Sequence, residues 1–252
     1  MWGLAVILWA LAGCNGCDAI AAHEDQGQGR RELIERLRDP DAARRRDALV
    51  TLGTFHDPAL LPIFQEAARD SEAGVRAAAI MALGQLLPAE EPATEVILLL
   101  QRAVKDEHPL VRRAAAWALG RVRDPRATRA LQEAARDRDA AVRATAVEAL
   151  GEQPDAAALA TLLERLHDKD AFVRRQAARA IGRRRASGAT IPLIARLIRE
   201  KDPEVKRAIA WALGQIGDPR AAETLRTLSR STDPYLAATA REALLKIRSR
   251  ER

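Results

Sequence analysis

Cys14 and Cys17 stand in a Cys-x-x-Cys spacing and are the chain's two cysteines. That spacing serves dithiol redox chemistry or half of a zinc site, and either use needs a folded setting that lowers a thiol pKa or adds further ligands. The pair sits instead in a flexible stretch near the amino terminus with no third cysteine anywhere, so neither chemistry is expected. His23, His56, His108 and His167 fall at unrelated places along the chain, and no fold brings them into one metal cluster. A Gly-rich phosphate loop, a zinc-protease motif and a nucleophile elbow are all missing. Asp and Glu are numerous, but helix caps and salt bridges account for most of them. The expectation is therefore no enzyme activity, no metal and no cofactor. What remains is arginine beside large aromatic side chains, and these become neighbours only through the chain's repetition.

That repetition is a phrase ending in Ala-Leu-Gly or a close variant. Its last position falls at Gly53, Gly84, Gly120, Gly151, Gly182 and Gly214, with Leu245 in the final slot, in steps of 31, 36, 31, 31, 32 and 31 residues. A fixed period of this size builds stacked supersecondary units rather than one closed globule. In residues 161–182, Leu162, Leu163 and Leu166 lie at helical spacing, Asp170 follows, and Val173, Ala177 and Ile181 form a second buried stripe. The same register reads Val75, Ala78, Ala79, Ala82 and Leu83 in one unit, and Val205, Ala208, Ile209, Ala212 and Leu213 in another. Offsets of i, i+3, i+4, i+7 and i+8 are one face of a helix, not the alternation of a strand. Asp41, Asp139, Asp170, Asp202 and Asp233 occupy N-cap slots of the second helices. Pro203 and Pro234 follow at the first helical position. The terminal glycine is expected to end each second helix, and Asp57-Pro58, Asp124-Pro125 and Asp218-Pro219 to turn the chain into the next unit.

These units resemble the HEAT repeat, in the short bacterial form also found in phycobilisome lyases. The resemblance rests on Asp70 with Val75-Arg76, Asp106 with Val111-Arg112, Asp137 with Val142-Arg143 and Asp168 with Val173-Arg174, and on Glu200 with Val205-Lys206 as a softened copy. Pro62 and Pro192 match the proline that bends the family's first helix. The resemblance covers residues 30–250 and implies an all-α fold, a right-handed α/α superhelix (solenoid) of about seven repeats. It also implies that the Val-Arg arginines bond the turn aspartates in a structural ladder. The first unit departs with Arg44-Arg45 where Val-Arg is expected, and the last with Leu236-Ala237, as capping units should. The long step holds Leu87-Pro88-Ala89-Glu90-Glu91-Pro92, about five extra residues that are either surface variation or a binding elaboration.

In such a family the second helices line the concave wall. Positions ten, seven and three before each terminal glycine form a stripe beside the buried register. The third-before column is Val50, Met81, Trp117, Glu148, Arg179, Trp211 and Glu242; the seventh-before column is Arg46, Ala77, Arg113, Ala144, Arg175, Arg207 and Ala238; the tenth-before column includes Leu110, Phe172 and Tyr235. Arginine beside exposed aromatic rings suits a binding hot spot, because both offer large contact area for little lost entropy. Arg113, Trp117, Arg175, Arg179, Arg207 and Trp211 are thus the candidate contacts for a protein or peptide. Trp117 and Trp211 equally suit packing between units, and the sequence leaves both roles open.

Outside the repeats, Trp2 to Ala12 is an apolar run followed by Leu11-Ala12-Gly13-Cys14. A stable membrane span needs about 20 apolar residues, and this run has the length of a secretory h-region instead. Small residues before a cysteine resemble the lipobox of bacterial lipoproteins, which implies lipidation of Cys14 after cleavage. Residues 1–13 are then a lipoprotein signal peptide, 14–29 a flexible tether and 30–252 the solenoid. No Lys or Arg precedes the run, and the alternative is an ordinary cleaved signal, or a weak membrane anchor, with Cys14 left as a free thiol.

Charged residues are 30% of the chain and aromatics 3%, a balance that suits close-packed helices with a solvated exterior and argues against a sheet. The net charge of +6 comes from 41 basic and 35 acidic residues interleaved through every unit, the pattern of salt-bridged helix faces. The reading is a monomeric, non-enzymatic interaction scaffold, lipid-anchored in the bacterial cell envelope on the periplasmic side of either membrane. Two alternatives stay open: a glycosylase-like nucleic-acid binder, with Arg and Trp on phosphates and bases, and a chromophore lyase or chaperone of the phycobilisome-lyase type.

Overall fold

Asp41, Asp139, Asp170, Asp202 and Asp233 each turn a side-chain oxygen onto the free N–H groups of the helix that follows, as the bonds from Ala43, Ala141, Phe172, Glu204 and Tyr235 show. This capping fixes where each second helix starts. His108 replaces the carboxylate in the third unit, its Nδ1 accepting from the Leu110 N–H. Asp57, Asp124 and Asp218 cap the Asp-Pro turns that open first helices or the 3-10 turns leading into them. Pro62 and Pro192 lie just inside the α-helices that follow such 3-10 turns.

The chain is represented by a computed structural model that describes residues 28–87 and 94–250. Among them the elements are helices only: α1 (28–36), α2 (Ala42–Gly53), α3 (Leu61–Ala67), α4 (Ala73–Leu86), α5 (Thr94–Ala103), α6 (Pro109–Gly120), α7 (Pro125–Ala134), α8 (Ala140–Glu152), α9 (Ala156–Arg165), α10 (Ala171–Arg184), α11 (Thr190–Arg199), α12 (Pro203–Ile216), α13 (Ala222–Leu228) and α14 (Pro234–Arg250). They pair into seven hairpins, as the repetition predicts. The first begins two residues before the expected boundary at residue 30. Cys14, Cys17, His23, the apolar run and residues 88–92 of the extra loop lie outside the described residues.

The predicted register is buried, except that Leu163 is only partly so. Val75, Ala79, Leu83, Val173, Ala177, Ile181, Val205, Ile209 and Leu213 are all at or near zero exposure, within one hydrophobic strip that runs from Leu49 to Ile247. Each even-numbered helix packs along the next even-numbered helix, whereas odd-numbered helices touch one another less. The even row is therefore the shorter arc, and its outward-facing side is the concave wall.

Four of the six repeated glycines do not do what local rules predict. Gly53 and Gly120 are the last residues of α2 and α6, but α4, α8, α10 and α12 run on past Gly84, Gly151, Gly182 and Gly214. α12 stops instead at Gly217, whose φ of +75 makes it the left-handed C-cap. The repeated glycine serves close approach. A Cβ built on Gly84, Gly120, Gly151, Gly182 or Gly214 would lie 2.8, 2.6, 2.9, 3.0 and 2.7 Å from the Cβ of Ala118, Ala149, Ala180, Ala212 and Ala243 respectively. Each of those alanines opens the next unit's own Ala-Leu-Gly phrase, or the matching slot in the last. The phrase is thus a socket and a plug: glycine receives the following alanine, and the leucine or isoleucine between them enters the core. Leu245 meets no later unit among the described residues, and its side chain stands exposed.

A second device joins the units. Arg45, Arg76, Arg112, Arg143 and Arg174 each present Nε and Nη2 to one carboxylate: Asp70, Asp106, Asp137, Asp168 and Glu200. That carboxylate belongs to the following unit, and the same guanidinium's Nη1–H bonds two backbone carbonyls of its own turn, as Arg143 does to Asp137 and Arg138. Arg45 takes the first rung, so the first unit keeps the ladder although Arg44 fills the valine slot. The ladder stops at Lys206, and the carboxylate slot it would meet is Ser231, whose hydroxyl accepts the Asp233 N–H at 3.2 Å.

Candidate functional site

The three sequence columns fall on the concave side, and most of their large members face solvent. Val50, Met81, Leu110, Phe172 and Tyr235 are exposed, as are Arg113 and Arg179, while Arg175 and Arg207 are half-buried. The ladder arginines are sunk between units: Arg112 and Arg143 are buried, and all five are committed to carboxylates. Burial pushes the carboxyls of Asp106, Asp137 and Asp168 up, but the arginine bonds, the N–H two residues on and the guanidinium charge together hold them below the usual range. Glu200, gripped by Arg174 and Arg196 against the same burial, is lowered to about 2. These groups have no capacity left for a ligand.

The six candidate residues form two clusters rather than one. Arg113 and Trp117 lie on α6 and line a groove of about 450 Å³ with Arg46, Val50, Gly74, Ala77, Met81 and Leu110. Arg175, Arg179, Arg207 and Trp211 lie on α10 and α12. There Arg175 stacks 5.0 Å from the Phe172 ring centroid, and Arg207 stacks 5.4 Å from that of Tyr235 while pairing with Glu204 at 2.8 Å. This half of the wall is already cross-braced by its own aromatic rings and by Glu204, which also stands 4.0 Å from Arg175. Glu148, exposed on α8, separates the clusters.

Both tryptophans are half-buried and divide their surface. The Trp117 ring edge lies over Gly84, where an added Cβ would come within 2.8 Å of it, and the Trp211 edge lies over Gly182, at 2.6 Å. Each ring therefore packs on the preceding unit's glycine while its other side faces the wall. Arg121 caps Trp117 at 5.3 Å from the centroid and donates to the Gly84 carbonyl at 2.8 Å. The Gln215 amide, in the orientation that satisfies both neighbours, accepts from the Trp211 indole N–H at 3.2 Å and from Lys246 at 2.9 Å.

The groove escaped the column reading. Its floor is made by Gly74 and Ala77, which look like blanks in the ten- and seven-before columns. Two small residues flanked by Arg46 and Val50 on one side and Leu110, Arg113 and Trp117 on the other are the signal that locates it. Among the described residues no three His, Cys, Asp or Glu side chains converge to hold a metal ion, and no helix is long and apolar enough to cross a membrane.

A family model described as HEAT repeats matches residues 31–98, 96–182 and 161–245. Among curated proteins none matches. Among solved structures, the YibA protein of Escherichia coli is 24% identical, with a TM-score of 0.67 over 88% of this chain and 82% of that one. An engineered protein is 21% identical, with a TM-score of 0.57 over 92% and 71%. The complex of CpcE and CpcF of phycocyanin lyase from Nostoc is 21% identical, with a TM-score of 0.53 over 87% of each chain. At these identities the likeness is one of fold.

Proposed function

The chain belongs to the HEAT-repeat family, and from the wall that its repeats build we propose a non-enzymatic scaffold that holds a protein or peptide on its concave face. The observation that carries this reading is the row of solvent-facing large side chains on the even helices. Val50, Met81, Leu110, Phe172 and Tyr235 stand 43 to 69% exposed there, with Arg113 and Arg179 between them. Large apolar and aromatic area beside arginine is the composition of binding hot spots rather than of a merely solvated face.

The proposal includes the anchor: a lipid on Cys14 would hold the array at the envelope, which suits a scaffold that must stay near its client. The test is crosslinking in intact cells from positions 113, 117, 175, 179, 207 and 211, followed by identification of the captured chain. Trp117→Ala and Trp211→Ala together should abolish capture while the helical signal persists. Capture that survives the double replacement, or a mature chain that retains residues 1–13 in a soluble fraction, would refute the respective half of the reading.

A further inference from the structure

The first three units give the wall a chemistry that the others lack. Besides Met81, α4 lines the groove with the small residues Gly74, Ala77, Ala78 and Ala82 and with Gln85, while α2 and α6 raise bulkier side chains on either side. Val50, Met81 and Leu110, at 58, 46 and 43% exposure, therefore face water across a concavity rather than from a flat surface. Apolar area in this setting favours an occupant in proportion to the area it covers. The charges point the same way. Arg46 and Arg113 line the groove and no carboxylate does. Arg113 makes no ion pair among the described residues, although its neighbour Arg112 has one at 2.6 Å. The carboxylate beside Arg46 is Asp47, the next residue, itself mostly in solvent.

The backbone narrows the occupant's form. Every element of the wall is a helix with its own backbone bonds satisfied, so an extended peptide finds no strand edge to pair with, whereas a helix satisfies itself. From α2 to α6 is two helix spacings, about 20 Å at the usual 8–10 Å each, which about 13 residues of helix would span. We propose that the groove of α2, α4 and α6 takes the apolar edge of an acidic amphipathic helix from a partner protein, with Arg46 and Arg113 meeting carboxylates on its flanks. This rests on the scaffold reading and assigns one end of the wall to one class of ligand.

The probe is a fluorescein-labelled 18-residue helical peptide with Leu at i, i+3, i+4 and i+7 and Glu on both flanks. Its counterpart carries Lys for each Glu. Anisotropy titration of the full chain should show the Glu peptide binding at least ten-fold tighter than the Lys peptide. Met81→Glu should weaken it ten-fold or more, Arg113→Glu should erase or invert the preference, and Arg129→Glu, exposed on α7 away from the wall, should change binding less than two-fold. Met81 and Arg113 are exposed, so unchanged thermal melts are expected for their variants. Equal binding of the two peptides, or indifference to Met81→Glu, overturns the assignment. So does displacement of the peptide by duplex DNA, tighter binding once residues 1–27 are removed, or a dimer that Met81→Glu dissociates. Crosslinks in cells that map to α10 and α12 but not to α2, α4 or α6 would leave the scaffold standing and remove this groove as its grip.

Discussion

Arg143→Ala should break the array in the middle. The Arg143–Asp168 rung is the most deeply sunk in the ladder, with the two side chains 5 and 3% exposed. The substitution removes two bonds to the carboxylate and two to the carbonyls of Asp137 and Arg138. Intramolecular bonds exchange for bonds to water, so their number overstates the loss; the larger cost is the buried carboxylate left behind. Removing one partner of a buried pair costs about 3–5 kcal/mol. Asp168 retains the Asp170 N–H at 2.9 Å and Arg165 at 3.5 Å, which places the expected cost near the lower figure, about 3 kcal/mol. Arg45→Ala removes the same bonds from a pair 13 and 16% exposed at the end of the array, and should cost clearly less than Arg143→Ala because water can take up the stranded charge. Because units touch only their neighbours, a weak central joint should also split one urea transition into two, read by far-ultraviolet circular dichroism. Arg143→Ala with Asp168→Ala should cost less than the sum of the single changes, since the stranded charge is gone. A loss under about 1 kcal/mol, or equal losses at Arg143 and Arg45, would show that the rungs do not join the units in the way argued here.

Three further outcomes follow from the same joints. Gly120→Ala, which in an isolated helix would add about 1 kcal/mol, should instead destabilise by about 1–3 kcal/mol because its Cβ would lie 2.6 Å from that of Ala149; Gly188→Ala, with open space around it, should be nearly silent in the same thermal melt. The ladder carboxyls are lowered in the folded chain, so their contribution is present above the unfolded carboxylate pKa and lost as pH falls through the folded one; Glu200, lowered from 4.5 to about 2, puts that loss between those two values, and urea midpoints measured across them should fall steeply on acidification. Lys206→Arg with Ser231→Asp should rebuild the missing rung, raising protection of α14 amides in hydrogen exchange by about ten-fold, equivalent to about 1.4 kcal/mol, while either change alone should do little or harm.

The hairpin series was legible because its signals are local: an aspartate immediately ahead of a helix, a proline after the cap, and apolar spacing within a dozen residues. Gly84 misleads for the opposite reason. Beside Ala82-Leu83 it looks like a helix end, but what demands a missing side chain is Ala118, which no local rule connects to it. The ladder shows the same limit: the spacing sets Arg76 beside Asp70 in one unit, and only the stacking reveals that its carboxylate partner is Asp106 while Asp70 offers it a backbone carbonyl. At the candidate site, the columns found the side chains that protrude. They could not find Gly74 and Ala77, whose contribution is the room they leave, nor show that Arg207 already spends its charge on Glu204.

Five of the six glycine joints would bring an added carbon within 3 Å of the next helix, and each joint draws the even row tighter than the odd row behind it. The bend of the array is the accumulated difference. A single methyl at such a joint would therefore do more than strain one contact: it would lengthen the inner arc and turn the residues on either side away from one another. Curvature is in this sense an inherited composition rather than a response to a ligand, and a sister array with the same inner side chains but alanine at these positions would offer them on a flatter plane, to a different shape of guest.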